Sequence, residues 1–479
     1  MGLRPFRLTY LGISNLVLVA LITLTMSAPG FAQSGGPPVV YVPLVLRGDA
    51  LAAAPRVNAP GFDGNISFTS SAIFWFGNVT PSENYADVRV GYNNSELRII
   101  ILVFDRLTWY DGSPTPADLT DWDAVTLLLD KDGNLGGALD SNSYRFVGQM
   151  RWWETPADYQ AAYQGVGSNW TASAVPFTTD SSWVSDNLPG DNQDDRGWVI
   201  TFHIPFASLG LSGPPAQGSL WGLGLALHDR DSATGPPLAV KTWPESLSQD
   251  RPSTWGQLVF GLPTFTPPAI ASTGTTSIRE GLDGAAVKDA HVGGHTRCGE
   301  EFNPNFYNGW GDRNFAGYEQ VNIQNQGNLG DWPCFSKYYV TFPLDNIPPG
   351  KVILSALLTM YQFGNSSPSE ANPSIIQVLT VNEDWDENTI TWNNAPYAWE
   401  NVGRALVGVL PAYPGLPGVA REWDISHAVA EAYQKGAPLR LALYSADGAM
   451  HSGKYFFSSN MDDYTQTSRP VLTVTWGEQ

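Results

Sequence analysis

The sequence predicts an all-β protein built from two β-sandwich domains, jelly-roll-like in type, joined by a linker rich in Pro and Thr. The 479 residues include 48 Gly and 36 Pro, a content that suits many turns and few long helices. Short apolar or alternating runs are separated by clusters of turn residues, as is typical of sandwich folds. Charged residues make up 15% and aromatic residues 12% of the chain, which provides for a sizeable core and excludes a disordered tail.

The N-terminus has the pattern of a secretory signal peptide over residues 1–32. Arg4 and Arg7 precede the apolar run Leu11–Met26, and Gly30-Phe31-Ala32 offers small residues at the two positions that a signal peptidase reads. A single membrane anchor is the alternative, although the run is short for one. We therefore expect an exported protein, secreted or at the cell surface, with no transmembrane segment after signal removal.

An uncharged segment, residues 263–276, divides the rest of the chain into two acidic halves. Its Pro, Thr, Ser and Gly content is that of a linker. Residues 33–54 are predicted to form a leader or tether, residues 55–262 the first sandwich and residues 277–479 the second.

Both halves contain runs that predict strands. Ala86–Tyr92 alternates as a half-buried strand does, whereas Leu97–Phe104 and Ala124–Leu129 are nearly continuous apolar runs. The other predicted strands are Trp198–Ile204, Leu220–Leu227, Tyr338–Phe342, Val352–Phe363, Ile375–Val381, Leu439–Tyr444 and Val471–Trp476. Two short helices are expected, one from a Thr155 cap to a Gly165 stop and one over Ser426–Lys435 that stops at Gly436.

The charge balance restricts the class of partner. The chain carries 26 basic and 46 acidic residues, a net charge of −20. A nucleic-acid binder or a binder of anionic membranes needs a basic surface, so both classes are excluded.

Two cysteines, Cys298 and Cys334, are the only ones in the chain. An even pair in an exported protein favours a disulfide. Two free buried thiols are the alternative, and a metal site needs more ligands than this pair supplies.

Acidic residues that follow the strand at 124–129 predict a calcium loop. Asp130, Asp132 and Asn134 place oxygen ligands at positions one, three and five, with a glycine between the last two for the turn. Asp140 is far enough along the chain to return as a further ligand. An ordinary hairpin turn rich in Asp and Gly is the alternative.

No catalytic motif stands out. The chain has no Gly-x-Ser-x-Gly elbow, no His-Glu-x-x-His and no glycine-rich phosphate loop. His291 and His295 lie four residues apart, but in a segment broken by glycines, which argues against a metal pair. Because 46 acidic residues offer many carboxylate pairs, a glycosidase remains an alternative to the non-catalytic protein that we expect.

Tryptophans in segments between the strands suggest a binding surface. An indole face stacks on the apolar face of a sugar ring, while Asp, Asn and Gln side chains bind the hydroxyls. Core packing is the alternative for each ring. The tryptophans in question are Trp109, Trp122, Trp152, Trp153, Trp170, Trp183 and Trp243.

Residues 60–262 resemble the family 9 carbohydrate-binding module. The motifs are Phe62-Asp63-Gly64, a strand that ends in Asp105, Trp122-Asp-Ala-Val-Thr-Leu-Leu-Leu-Asp130, Gly197-Trp-Val-Ile-Thr-Phe-His-Ile-Pro-Phe206, a strand that ends in Asp229, and Trp255-Gly-Gln-Leu258. The resemblance implies a β-sandwich with structural calcium that holds a sugar between two Trp.

Three positions follow from that resemblance. Trp122 lies close to the position of the first of the two sugar-holding Trp. Trp243 falls in the segment that supplies the second Trp, and Gln249 lies nearer to the position expected for it. With Trp109 these form the predicted carbohydrate-binding set. The same sandwich hosts haem in some exported redox modules, for which His203, His228 and Met150 are the candidate axial ligands.

Residues 277–476 resemble the DNRLRE-type domain, which is close to family 96 carbohydrate-binding modules. The signature includes Tyr338-Tyr-Val-Thr-Phe-Pro-Leu-Asp-Asn-Ile-Pro348, Trp385-Asp-Glu-Asn-Thr-Ile-Thr-Trp392-Asn-Asn-Ala-Pro396 and Arg469-Pro-Val-Leu-Thr-Val. The resemblance implies a jelly-roll sandwich of secreted and surface proteins, some of which bind polysaccharide. Trp385 and Trp392 are expected to be structural.

Together these features predict an exported, non-catalytic protein that binds polysaccharide or cell-wall glycan, with calcium holding its loops. A surface or matrix protein that mediates adhesion without a sugar site is the first alternative, and a glycoside hydrolase or lyase is the second. Exposed Trp favours binding, buried Trp favours adhesion, and a cleft with two carboxyls roughly 5–10 Å apart favours the enzyme.

Overall fold

A computed structural model describes residues 54–133, 136–184, 188–296, 306–327, 335–367, 369–449 and 451–478. The predicted signal peptide, the leader up to residue 53, Asn134, and the predicted disulfide partners Cys298 and Cys334 lie outside the described residues.

The described chain is all-β, as predicted. The strands of the first half are β1 (Arg56–Ala59), β2 (Ala72–Thr80), β3 (Glu83–Tyr92), β4 (Glu96–Phe104), β5 (Ala124–Asp130), β6 (Ser143–Gln149), β7 (Gln160–Val166), β8 (Asn169–Ser173), β9 (Thr178–Val184), β10 (Gly197–Pro205), β11 (Leu220–His228), β12 (Lys241–Trp243) and β13 (Gly256–Phe260).

The second half continues the numbering and contains an α-helix. Its elements are β14 (Ser272–Ile278), β15 (Lys288–Gly293), β16 (Gln320–Ile323), β17 (Ser336–Phe342), β18 (Lys351–Asn365), β19 (Ser374–Val381), β20 (Ala398–Val407), β21 (Val419–Asp424), α1 (Ser426–Lys435), β22 (Leu439–Ser445), β23 (Lys454–Phe457) and β24 (Val471–Glu478). Short 3-10 helices span Leu119–Asp121, Pro156–Tyr159, Phe206–Leu209, Pro252–Thr254, Leu282–Gly284, Trp310–Asp312 and Gln466–Ser468.

Three sheets form two sandwiches. A 13-stranded sheet runs through both halves in the order β15-β17-β22-β19-β20-β1-β13-β11-β5-β6-β7-β8, with β12 paired to β11. The sheet β2-β3-β4-β10-β9 completes the first sandwich. The sheet β14-β24-β18-β23-β16, with β21 paired to β18, completes the second.

One hydrophobic core contains side chains of both halves, and a second core lies within the second half. β1 pairs in parallel with β13 and meets β20 at Arg56, which lies opposite Glu400. The largest buried apolar cluster includes side chains of both halves, among them Trp75 and Tyr444, whose ring centroids are 5.6 Å apart. The segment 263–276 therefore connects sandwiches that are already packed together, and β14 begins inside it at Ser272.

One predicted helix is confirmed and the other is wrong. α1 spans Ser426–Lys435 and ends at Gly436 in the left-handed conformation (φ 64°), which glycine adopts without strain. After Thr155 the chain forms only the 3-10 turn Pro156–Tyr159 and then continues as β7. The prediction failed because hydrogen bonding of β7 to β6 outweighs the local helix signals.

No helix among the described residues is long and apolar enough to cross a membrane.

Candidate functional site

One end of the first sandwich collects loops from both of its sheets. β4 of the five-stranded sheet ends there and β5 begins there. β11 and β6 also end there, because their last residues, His228 and Gln149, both pair with Ala124, the first residue of β5. The residues just outside these strand ends form two adjoining groups, a buried acidic cluster and an exposed aromatic platform. We define the acidic cluster as Asp105, Asp123 and Asp229.

The three aspartates of the acidic cluster lie very close together. One carboxylate oxygen from each lies within 4.8 Å of the others, and all three residues are buried. Asp105 follows β4, Asp123 precedes β5 and Asp229 follows β11, so residues far apart in sequence meet through the strand order.

Hydrogen bonds satisfy only part of this cluster. Asp105 accepts from the Leu107 backbone N–H (3.1 Å) and from Trp198 Nε1 (3.1 Å). Asp123 accepts from the backbone N–H groups of Trp109 (2.6 Å) and Arg230 (2.9 Å). By contrast, Asp229 Oδ1 is buried without a hydrogen-bond partner, a costly state for a charged oxygen.

Burial dominates the electrostatics of the cluster. It raises the pKa of Asp105 and of Asp123 well above the ordinary value, and repulsion between the carboxylates raises both further. It also raises the pKa of Asp229 to about 7, with added repulsion from Asp231.

Two basic side chains, one acting electrostatically on Asp229 and one on the neighbouring Asp231, form ion pairs with other residues. Arg106 pairs with Asp194 at 3.0 Å, and Lys241 pairs with Glu83. Ionising the acidic cluster would therefore place several negative charges in a buried region where no ion pair among the described residues neutralises them. Three carboxylates this close together, one of them with an unpartnered oxygen, fit a hard divalent cation, and calcium binds such oxygen ligands.

The exposed platform lies beside this cluster and consists of Trp152, Trp153 and Trp183. Trp153 is 70% and Trp152 38% exposed. The ring centroids of Trp152 and Trp153 are 3.9 Å apart with an interplanar angle of 53°, and those of Trp152 and Trp183 are 5.3 Å apart. Trp152 and Trp153 therefore offer indole surface to solvent at the sandwich end, whereas Trp183 is half-buried.

A chain of hydrogen bonds connects the acidic cluster to the platform. Asp123 accepts from the Trp109 N–H, and the next residue, Tyr110, donates its hydroxyl to Glu154 Oε1 at 2.8 Å. Glu154 Oε2 in turn accepts the backbone N–H groups of Trp152 (2.9 Å) and Trp153 (3.0 Å). The conformation of the platform thus depends on the loop that the cluster holds.

The predicted calcium loop lies at the opposite end of β5. Carboxylate oxygens of Asp130, Asp132 and Asp140 lie within 4.8 Å of one another, while Asn134 is outside the described residues. Burial raises the pKa of Asp130 to about 7, and its Oδ1 is buried without a partner. This group is more exposed than the acidic cluster, since Asp132 faces solvent.

Two of the predicted sugar-binding residues lie at the candidate site. Trp109 is half-buried and packs beside Gly190. Trp122 is half-buried as well, and the Arg230 guanidinium covers its ring at 4.2 Å from the centroid. Both rings support the loops around the acidic cluster.

Trp243 and Gln249 require correction. Trp243 is only 1% exposed and packs against Phe74 with ring centroids 4.3 Å apart, so it offers no face to a sugar. Gln249 lies in the segment after β12. The Ser253 N–H of that segment donates to the Gly136 carbonyl (2.9 Å) in the loop that follows β5, at the other end of the sandwich, so Gln249 does not lie with Trp109 and Trp122. The fold separates these residues because β12 runs antiparallel to β11 and carries the chain away from the site.

The histidines have structural surroundings. His203 bonds Glu96 and Asp180, both at 3.1 Å, and His228 bonds Thr126 at 3.0 Å while burial lowers its pKa to about 4. His291 is buried beside His295 with ring centroids 5.3 Å apart, and burial lowers the pKa of His291 to about 3.

Comparison with known proteins adds family information. Residues 307–475 match the model of carbohydrate-binding module family 96, which confirms the resemblance predicted for the second half. No curated protein matches the chain.

Two solved structures of a family 9 carbohydrate-binding module from Caldicellulosiruptor kristjanssonii are similar to part of the chain. The complex with cellotriose is 13% identical, with a TM-score of 0.31 over 46% of this chain and 99% of that one. The complex with glucose is 14% identical, with a TM-score of 0.30 over 44% of this chain and 100% of that one.

Sequence reasoning missed the acidic cluster and assigned no binding role to Trp152 and Trp153 individually. A signal for the cluster was present, because Asp105 and Asp229 each follow a long apolar strand. Only the strand order shows that they meet Asp123.

Proposed function

We propose that the protein is an exported, non-catalytic carbohydrate-binding protein that binds polysaccharide on the Trp152–Trp153 platform. The observation that carries the proposal is the exposure of two adjacent indole rings at one sandwich end. An exposed large aromatic surface is unfavourable in water and marks a binding site. The match of residues 307–475 to family 96 supports the same class of ligand, and the signal-like N-terminus supports export.

The shape of the platform favours a polymer over a small molecule. The rings lie on the surface of the sandwich, where a sugar chain can lie across them and stack its C–H faces on the indoles. Glu154 keeps its carboxylate next to the rings, with its bonds to Tyr110 and to the Trp152 N–H. The neighbouring acids Asp111 and Asp158 add negative charge, which favours a neutral glycan over a polyanionic one.

Calcium has a supporting role in this proposal. Bound at Asp105, Asp123 and Asp229, it neutralises the buried carboxylates and holds the loop that carries Trp109 and Tyr110. Asp130, Asp132 and Asp140 are a second candidate set at the other sandwich end. The first set acts on the platform through the hydrogen bonds of Tyr110 and Glu154, so the ion orders the site while the side chains make the sugar contacts.

The burial of the acidic cluster supports binding over cleavage. A glycosidase needs carboxyl groups that reach the scissile bond, whereas Asp105 and Asp123 are fully buried and Asp229 is nearly so. Glu154 accepts three hydrogen bonds that fix it beneath the platform, an arrangement that suits positioning.

The test is a polysaccharide screen on the full chain, with calcium and with a chelator, that records both retention and released products. We expect retention of at least one neutral polysaccharide, no products, and weaker retention after chelation. Release of oligosaccharides would establish an enzyme instead. No retention of any polysaccharide in calcium would refute the proposed function.

A further inference from the structure

A lysine is buried in the core that the two sandwiches share. Lys337 on β17 is fully buried, and its Nζ forms no hydrogen bond or ion pair with the described residues. Four aromatic rings surround Nζ, at centroid distances of 3.5 Å (Trp392), 4.2 Å (Trp75), 4.7 Å (Tyr85) and 5.2 Å (Tyr444). Two of these rings belong to each half of the chain.

This surrounding favours a neutral amine. Burial holds the pKa of Lys337 well below its ordinary value, and the nearby Asp87 only partly offsets this effect. Asp87 accepts hydrogen bonds from Tyr85, Tyr444 and Asn325 in place of an ion pair with Lys337. A neutral, desolvated lysine amine is a nucleophile.

A buried side-chain amide, that of Asn325, bonds the same aspartate as the tyrosines around this amine. Asn325 is fully buried, and its Nδ2 donates to Asp87 Oδ2 at 2.8 Å. The two tyrosines that bond Asp87 are the same two that contact Lys337 Nζ, with hydrogen bonds of 2.6 Å from Tyr85 and 2.9 Å from Tyr444. Asp87 therefore bonds the amide directly and shares its immediate surroundings with the amine.

The backbone places the two side chains on one face. Gln324 and Ser336 form an antiparallel bridge, so Asn325 lies opposite Phe335, and Lys337 is its diagonal neighbour on the same face. Diagonal pairs are within reach of long side chains. The lysine arm, which no hydrogen bond restrains, can extend to the amide of Asn325.

We propose that Lys337 and Asn325 form an intramolecular amide bond, with Asp87 as the proton relay. The Nζ lone pair attacks Cγ of Asn325, a new Nζ–Cγ bond forms, the Cγ–Nδ2 bond breaks and ammonia leaves. Asp87 passes the amine proton to the departing nitrogen. The reaction needs no oxidant and no cofactor, and the bond links β17 to the segment after β16 inside the shared core.

The test is mass spectrometry of the full chain, reduced and alkylated so that the cysteines do not contribute. We compare it with Asn325→Ala and Lys337→Met variants produced identically, so that N-terminal processing cancels. After correction for the substitution, the wild-type chain is expected to be lighter than either variant by one ammonia. Trypsin is expected to leave the bond after Lys337 uncut and to yield one branched peptide that contains both residues.

Asn322→Ala serves as the matched control, since Asn322 is a buried asparagine on the same segment, and it is expected to keep the loss of ammonia. In the Asp87→Asn variant, whose folding is checked by circular dichroism, we expect no bond between Lys337 and Asn325 and therefore no loss of ammonia. A wild-type chain of unmodified mass that yields separate linear peptides overturns the proposal. A branched peptide in folded Asp87→Asn overturns the relay role alone.

Discussion

If the acidic cluster binds calcium as proposed, we expect thermal stability to depend on both calcium and pH. Without a cation, the folded state holds a proton on Asp229 up to about pH 7, whereas the unfolded chain releases it near the ordinary value of 3.8. A carboxyl whose pKa is raised on folding binds its proton more tightly in the folded state. The free energy of unfolding therefore falls as pH rises from about 4 through about 7.

The size of this effect follows from the shift. About three pKa units correspond to about 4 kcal/mol, which is large against a total stability of about 5–15 kcal/mol. Asp229 is 5% exposed, so solvent screening reduces the value little. With an unfolding entropy of about 2.1 cal/mol/K per residue over roughly 430 residues, it amounts to about 4 °C in Tm.

We expect calcium bound at the cluster to reverse this dependence of stability on pH. The ion favours the ionised carboxylates, so stability in calcium is lost as pH falls toward 4 and is kept near pH 7. The assay is calorimetry of the full chain from pH 4 to 8, with calcium and with a chelator. In the chelated protein at pH 8, Asp229→Asn is expected to raise Tm by up to about 4 °C; in calcium it is expected to lower Tm.

Asp132→Asn distinguishes the two candidate calcium sets. If Asp132→Asn abolishes the response to chelation and Asp229→Asn leaves it intact, the ion occupies the loop after β5 and the reasoning on the acidic cluster is refuted. Identical pH profiles with chelator and with calcium refute it as well.

Two further changes test the link to the platform and the correction of Trp243. Tyr110→Phe removes the hydroxyl that bonds Glu154. Because a typical hydrogen bond contributes about 1 kcal/mol, we expect polysaccharide binding to weaken about fivefold. Unchanged affinity on an affinity gel would contradict the link. Trp243→Ala leaves a cavity beside Phe74 and is expected to reduce the free energy of unfolding by about 3–5 kcal/mol in denaturant titrations. We expect the sugar affinity of the folded fraction to stay unchanged. A selective loss of affinity would restore Trp243 to the site.

Local sequence signals predicted much of this fold. The run of apolar residues in Leu97–Phe104 became β4, and the glycine stop at Gly436 ended α1 where expected. Such elements depend on periodicity and end residues, which a single sequence displays. The helix predicted after Thr155 failed because pairing with β6 decides the conformation of that segment.

The candidate site was less predictable because it depends on long-range packing. Trp243 and Trp153 have similar polar and Pro-rich neighbours in sequence, yet one packs on Phe74 and the other faces solvent. The acidic cluster joins three strand ends that are far apart in the chain. Strand order and sheet pairing decide both outcomes, and neither can be derived from local patterns.

The most direct test of the account is the affinity of platform variants for a polysaccharide that the wild-type chain retains. Loss of one stacked face of Trp153 removes roughly 90 Å² of apolar contact, or about 2 kcal/mol, a roughly 30-fold weakening. Tyr464→Ala is the control, because Tyr464 is 94% exposed and distant in sequence from the site. We predict at least this loss for Trp152→Ala/Trp153→Ala and none for the control; wild-type affinity in the double variant would contradict the platform as the sugar-binding site.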